Sequence, residues 1–286
     1  MQSTNTTNPL CLDVLSRSNF KTTRRYILGR RHADKIFLRY ILRSDISNLI
    51  RIRLWPARSA TYLSYGYLGY PLRFFNSTVK KDNFFAFDHP PIPSLLKGHF
   101  FRVVSTTLRT VLFDSPLDFD DKIIEDIEEY VDIVQSKKRF SIGVKSSFYL
   151  KSDQVVNLYI KESSILDSLS GGQLASFARD CINKLSTNHP LLVSTKQNYP
   201  TINSNTLKVT NISEVELIEE DIMLDNVQEI ICPTSLKAIE LWLIGKEIVS
   251  FPGSYVHSLA NFHMLYPGRT RKESFIQFLR YTLVCP

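Results

Sequence analysis

Thr234 and Ser235 are the residues of this 286-residue chain whose chemistry is easiest to name. They follow a short apolar run, Val227, Ile230 and Ile231, and the pair Cys232-Pro233. They precede apolar residues at helical spacing: Ala238, Ile239, Leu241, Trp242, Leu243 and Ile244. Two hydroxyls beside the unpaired N–H groups of a helix start can neutralise a phosphate without a metal. A Thr or Ser there can equally serve as a helix cap. Glu240 falls inside the apolar stripe, where an unpaired carboxylate is costly, so it needs a partner; an ordinary salt bridge would supply one. In the N-terminal half, Asp88 beside His89 could take a proton from a hydroxyl, with Pro90 and Pro91 stiffening the loop, although surface Asp-His pairs also arise by chance. Asp114, after the apolar Val111-Leu112-Phe113, is an alternative base.

The elements that must position these groups form a β-loop-α-β unit. Ile230 and Ile231 read as a strand covered on both faces, and a helix runs from Ser235. Gly245-Lys246 is its stop, because Gly accepts the left-handed conformation and Lys suits the negative helix end. Ile248 to Phe251 resume a strand, ended by Pro252-Gly253. The loop between strand and helix is where open α/β sheets hold ligands. Upstream, strands are predicted at 140–144, 155–160, 190–194, 207–209 and 215–217, and a helix at 173–185. This alternation argues for an α/β fold with a parallel sheet covered by helices. Residues 1–20 read as a flexible N-terminus, 21–136 as an N-terminal domain and 137–286 as a C-terminal one. The first domain carries a basic helix, strands near 50–55, 101–104 and 110–113, and a helix with a solvated acidic face from Asp118.

Composition excludes several classes. With 43% hydrophobic and 12% aromatic residues the chain is globular, and no segment approaches the roughly 20 apolar residues of a membrane span. Cys11, Cys181, Cys232 and Cys285 are scattered without CxxC spacing, and six histidines show no metal-binding spacing, so neither a metal nor a disulfide framework is expected. Walker, GxGxxG and GxSxG motifs are absent. The opening residues lack the basic region and apolar core of a secretory signal, which makes a cytoplasmic location the expectation. The net charge of +7 is concentrated near the N-terminus, where Arg24, Arg25, Arg30, Arg31 and Lys35 interleave with apolar residues. That stretch reads either as a surface for anionic lipid or an anionic acceptor, or as a solvated basic face. Without a nucleic-acid motif, nucleic acid is the last of the partners considered, tyrosines 62, 65, 67 and 70 notwithstanding.

The run TSLKAIELWLIGKEIVSFPGSYV resembles the donor-binding segment of bacterial capsule-polysaccharide glycosyltransferases, with Glu240-Leu241-Trp242-Leu243-Ile244-Gly245-Lys246 matching in order and spacing. The related enzymes include Kdo and sialic-acid transferases. The resemblance covers about the last third of the chain. It implies a GT-B-like α/β fold of two Rossmann-like halves with parallel sheets, the N-terminal half degenerate or reduced, with residues 21–136 on the acceptor side and 137–286 on the donor side. It implies a CMP-sugar donor, a polysaccharide or glycolipid acceptor, no metal cofactor, and a place at the inner face of the cytoplasmic membrane. It also implies donor-binding roles for Lys196, Thr234, Ser235, Glu240, Ser254 and Tyr255. The chain departs from the family pattern after Lys196, where the usual Lys-x-His-Pro is replaced by Lys196-Gln197-Asn198-Tyr199-Pro200. It departs again at Asp120-Asp121, which lack the following glycine. These departures leave open a catalytically inactive relative that binds or scaffolds.

Overall fold

The computed structural model describes residues 13–15, 17, 25–27, 50–52, 61–65, 84–88, 90–96, 100–105, 110–137, 139–144, 155–161, 173–185, 189, 191–195, 218–233 and 236–285. The strands are β1 (Asp13–Leu15), β2 (Arg25–Ile27), β3 (Ile50–Ile52), β4 (Thr61–Tyr65), β5 (Phe84–Asp88), β6 (Phe101–Ser105), β7 (Val111–Phe113), β8 (Arg139–Val144), β9 (Val156–Lys161), β10 (Leu191–Thr195), β11 (Ile218–Met223), β12 (Val227–Ile231) and β13 (Leu283–Val284). The helices are α1 (Pro93–Leu96), α2 (Asp121–Gln135), α3 (Gln173–Lys184), α4 (Ala238–Leu243), α5 (Tyr255–Met264) and α6 (Arg271–Thr282). The chain divides into two compact units: Met1–Asp118 with Ser258–Arg269 and Glu273–Pro286, and Phe119–His257 with Thr270–Lys272.

In the first unit a six-stranded sheet runs in the order β13-β6-β5-β4-β2-β3. Strands β3, β2, β4 and β5 pair in parallel, and β6 and β13 add antiparallel. The expected basic helix is not what forms at Arg25: Arg25-Tyr26-Ile27 is a strand, paired with Ile50–Ile52 on one side and Thr61–Leu63 on the other. Aromatic and β-branched residues suit a pleated surface, and pairing on both sides overrides the helical spacing of the neighbouring apolar residues. Phe275, Phe278 and Leu279 of α6 are fully buried, each contributing about 1.5–3 kcal/mol.

Arg17 ties this unit together. Its guanidinium donates from Nε to the Ser115 carbonyl, from Nη1 to that of Leu283 and from Nη2 to that of Arg280, each at 2.9 Å. The group lies 4.3 Å from the Phe113 ring centroid, and its backbone N–H donates to Asp114 Oδ1 at 2.9 Å. The three-way fork thus joins the loop after β7 (Ser115) to the last turn of α6 (Arg280) and to β13 (Leu283).

In the second unit β9 lies between β10 and β12, parallel to both. A parallel bridge from Ile231 to Val249 extends the sheet, and β8 runs beside β10 while pairing antiparallel with β11. The predicted parallel alternation therefore holds for β9, β10 and β12; β11 is antiparallel, and the strands predicted at 207–209 and 215–217 lie outside the described residues. Helix α3 buries Leu174, Ala178 and Ile182, one face at i, i+4 and i+8. Ala178 and Ile182 meet Tyr159, Leu185, Leu191 and Ile231 in the core. Helix α2 starts at Asp120, whose Oδ1 accepts the Ile123 N–H at 2.8 Å, and it buries Ile127, Val131 and Val134 beneath an acidic outer face.

Two details differ from expectation near the loop of interest. Helix α4 starts at Ala238 rather than Ser235, because its first turn is tight: Ile239 N–H reaches Leu236 O at 3.0 Å and Glu240 N–H reaches Lys237 O at 3.2 Å, both three-residue spans. The strand predicted at 248–251 reduces to the single bridge at Val249, which lies at the sheet edge. The stop of α4 is as read. Gly245 has φ +107°, Lys246 N–H bonds Leu241 O and Gly245 N–H bonds Trp242 O, the paired closure of a Schellman motif.

Arg17→Ala withdraws three charge-assisted donors from carbonyls and is expected to cost at least about 2 kcal/mol in chemical denaturation. Arg17→Lys should recover less than half of that loss, because an ammonium cannot reproduce the planar fork.

Candidate functional site

The strand order of the second unit locates a candidate ligand site. From β9 the chain passes through α3 to β10 on one side. Strand β12 lies on the other side of β9 and passes through α4 to Val249, farther out. Connections that leave two adjacent parallel strands in opposite directions open a crevice at the strands' carboxyl ends, the usual ligand position in such sheets.

Three segments meet at that edge. Cys232 N–H donates to Val249 O at 2.9 Å, and Phe251 N–H donates to Pro233 O at 3.2 Å, so the chain leaving β12 and the turn Phe251–Ser254 run side by side. The Phe177 ring of α3 meets Phe251 edge to face, with centroids 5.5 Å apart, which brings the first turns of α3 against the same turn. Gly253 holds φ +112°, a conformation that disfavours any side chain, and Ser254 N–H closes the turn onto Phe251 O at 2.8 Å.

The residues singled out from sequence fall into three groups. Thr234, Ser235, Lys196, His89, Arg24, Arg30, Arg31 and Lys35 lie outside the described residues. Thr234 and Ser235 are nevertheless bracketed by Pro233 and Leu236, and Lys196 follows Thr195 at the end of β10. Asp88 ends β5 in the first unit, in register with Arg102, and Arg25 begins β2. Asp114, also in the first unit, is exposed and accepts the Arg17 backbone N–H and, at 3.3 Å, the Ser115 hydroxyl.

The rest are engaged in the fold of the second unit. Ser254 is 1% exposed, and its hydroxyl accepts the His257 N–H at 3.2 Å, capping α5. Tyr255 is buried at 2%. Glu240 has its expected partners: the Tyr130 hydroxyl donates to Oε1 at 3.2 Å, and Lys137 Nζ lies 3.3 Å from Oε2. Burial, then the Glu240 charge and the hydrogen bond to it, push the Tyr130 phenol well above its ordinary range, so the phenol remains a donor.

Sequence reasoning required a partner for Glu240 but could not name Tyr130 or Lys137, which lie 110 and 103 residues away. It also gave no role to Phe177 or to Arg271. The Arg271 guanidinium donates to the carbonyls of Trp242 and Lys246, pairs with Glu247 at 2.8 Å and lies 5.1 Å from the Trp242 ring centroid, holding the end of α4. Among the described residues no group of three or more His, Cys, Asp or Glu is gathered as a metal site, and no helix is long and apolar enough to cross a membrane.

No protein-family model matches the chain, and no curated protein matches its sequence. Among solved structures it is similar to KpsC of Thermosulfurimonas dismutans, a β-Kdo 2,7-transferase. The identity is 12% and the TM-score 0.47, over 90% of this chain and 89% of that one.

Tyr130→Phe removes a hydrogen bond to a half-buried carboxylate and should cost about 1–2 kcal/mol by denaturant titration, whereas Lys137→Ala, at a more exposed ion pair, should cost less than about 1 kcal/mol. Burial holds the imidazole of His257, in the first turn of α5, below its ordinary pKa. The unfolded chain therefore takes up this proton first as pH falls below about 6.5, and the folded state loses stability until pH has passed through the lowered folded value. His257→Gln should flatten that part of the stability–pH curve.

Proposed function

We propose that the protein is a glycosyltransferase with a GT-B-like pair of α/β halves. It moves an acidic sugar, Kdo or a sialic-type nonulosonic acid, from a CMP ester to a hydroxyl of a surface polysaccharide or glycolipid. The observation that carries this reading is the reversal of strand order between β9 and β12, with the segments after β12 and after Val249 hydrogen-bonded side by side at the carboxyl edge. Added to it is the match of Glu240–Lys246 and its flanks to the donor segment of capsule glycosyltransferases.

In this scheme the bond from the anomeric carbon to the phosphate oxygen breaks, and its electron pair leaves with CMP. The Thr234 and Ser235 hydroxyls, neighbouring backbone N–H groups and Lys196 stabilise the growing phosphate charge without a metal. The acceptor oxygen forms the new bond at the anomeric carbon, and its proton passes to an N-terminal carboxylate. Asp88, at the carboxyl end of β5 with His89 next to it, suits that role better than Asp114, which is engaged with Arg17 and Ser115. The basic N-terminal residues, Arg24 to Lys35, would hold the acceptor.

A second reading has its own support. Ser254 caps a helix, Tyr255 is core and Glu240 is engaged by the Tyr130 hydroxyl and the Lys137 ammonium, so these three side chains serve the fold. A donor site reduced in this way would leave a non-catalytic binding or scaffold protein of polysaccharide assembly.

Calorimetric titration with CMP, CDP, UDP and GDP separates the two. The transferase reading expects selective CMP binding, weakened about tenfold or more by Ser235→Ala and by Lys196→Ala, the loss of a charge-assisted contact. Failure to bind any of the four nucleotides would remove the transferase reading and leave the scaffold.

A further inference from the structure

The C-terminal end of α5 displays apolar side chains that nothing in the fold requires to be outside. Met264 is 68% exposed, Leu265 53% and Tyr266 40%, three in succession. They do not belong to a loose loop. Leu265 N–H bonds Asn261 O, Tyr266 N–H bonds His263 O and Arg269 N–H closes the Tyr266-Pro267-Gly268-Arg269 turn onto Tyr266 O at 3.0 Å. Beneath them Phe262 is buried, its ring 5.0 Å from Tyr266 and 5.4 Å from Phe278. Above Tyr266 sits the Arg269 guanidinium, 4.3 Å from the ring centroid. The result is a rigid tip with an apolar crown, an aromatic ring and a cation stacked on it.

Along the sequence the tip lies in a basic segment, most of whose cations are paired within the fold. From Ile248 to the last residue the sequence holds a single carboxylate, Glu273, against Arg269, Arg271, Lys272 and Arg280. Arg271, Lys272 and Arg280 have carboxylate partners, whereas Arg269 has none among the described residues. A stable protein interface needs roughly 20 residues a side, of which these three would supply only a small part. A bilayer needs much less: each CH₂ withdrawn from water is worth about 0.8 kcal/mol, Tyr favours the headgroup level, and a nearby Arg meets lipid phosphate.

We propose that the Met264–Arg269 tip docks the protein on an anionic lipid surface, with Met264 and Leu265 entering the acyl boundary and Tyr266 and Arg269 at the headgroups. The surface lies far in sequence from the basic N-terminal stretch, and the inference does not rest on the transferase reading.

The test is co-sedimentation of the full chain with vesicles of equal parts phosphatidylglycerol and phosphatidylcholine, and with phosphatidylcholine alone. Binding to the mixed vesicles is expected to exceed binding to the neutral ones. The double variant Met264→Glu/Leu265→Glu is expected to lose at least about tenfold in partitioning. Arg269→Ala should lose severalfold and bind with less salt sensitivity. All four side chains are exposed, so unchanged circular dichroism and melting will confirm that the variants fold.

Absence of binding by the wild-type chain would overturn the proposal. So would a double variant that sediments like wild type while Arg30→Glu/Arg31→Glu does not, which would assign the contact to the N-terminal stretch. A wild-type dimer that the double variant converts to monomer would assign the tip to a second copy instead.

Discussion

Parallel pairing of β9 with both β10 and β12 is the constraint on which the second unit's chemistry depends. Parallel neighbours cannot be joined by a tight turn, so each connection must cross over and return to the starting end, here through α3 from β9 to β10 and through α4 from β12 to Val249. All the carboxyl ends consequently fall on one edge, and the chain leaves β12 and Val249 there whatever its sequence. Pro233 and Gly253 suit this edge because the turn asks Pro233 only for its carbonyl, which accepts the Phe251 N–H, and asks Gly253 for a positive φ. The core beneath, from Tyr159 to Ile231, supplies rigidity and is indifferent to the ligand.

Arginine completes what the backbone leaves open. Arg17 meets the carbonyls at the end of α6, and Arg271 those at the end of α4. In each case a planar cation lies near an aromatic ring, Phe113 or Trp242, and gives several hydrogens to backbone carbonyls at or just past a helix end. Desolvating Arg17 lowers its pKa, while the nearby Asp114 carboxylate works in the other direction. A guanidinium begins so far above neutral pH that it keeps its charge and remains a donor throughout.

Local features of the site were legible in the sequence, and long-range ones were not. Gly245 is a helix stop in sequence and in structure, because the left-handed requirement is met by one residue type at one position. The apolar spacing of α2 and α3 was equally readable, since each helix buries a stripe that it carries itself. Glu240 announced a need for partners through its apolar surroundings, yet Tyr130 and Lys137 come from another element, and no spacing encodes them. The start of α4 was misplaced because Ser235 is a good cap by type, whereas the tight first turn depends on how the chain leaves β12. Arg25 was misread as helical for a related reason: pairing with strands on both sides, invisible locally, decides its conformation. Ser254 and Tyr255 carried donor-facing expectations, while in the fold one caps α5 and the other fills the core.

The Arg17 fork also bears on how the protein is made. Its acceptors at Arg280 and Leu283 lie 263 and 266 residues farther along the chain. During vectorial synthesis the first unit begins first but cannot close until α6 has left the ribosome, whereas nearly all of the second unit, Phe119–His257, is contiguous and can fold in the interval. The nascent N-terminal sheet must therefore wait with one edge unpaired, since β13 follows α6 in the chain. An edge strand left open in this way is a template for wrong pairing during synthesis.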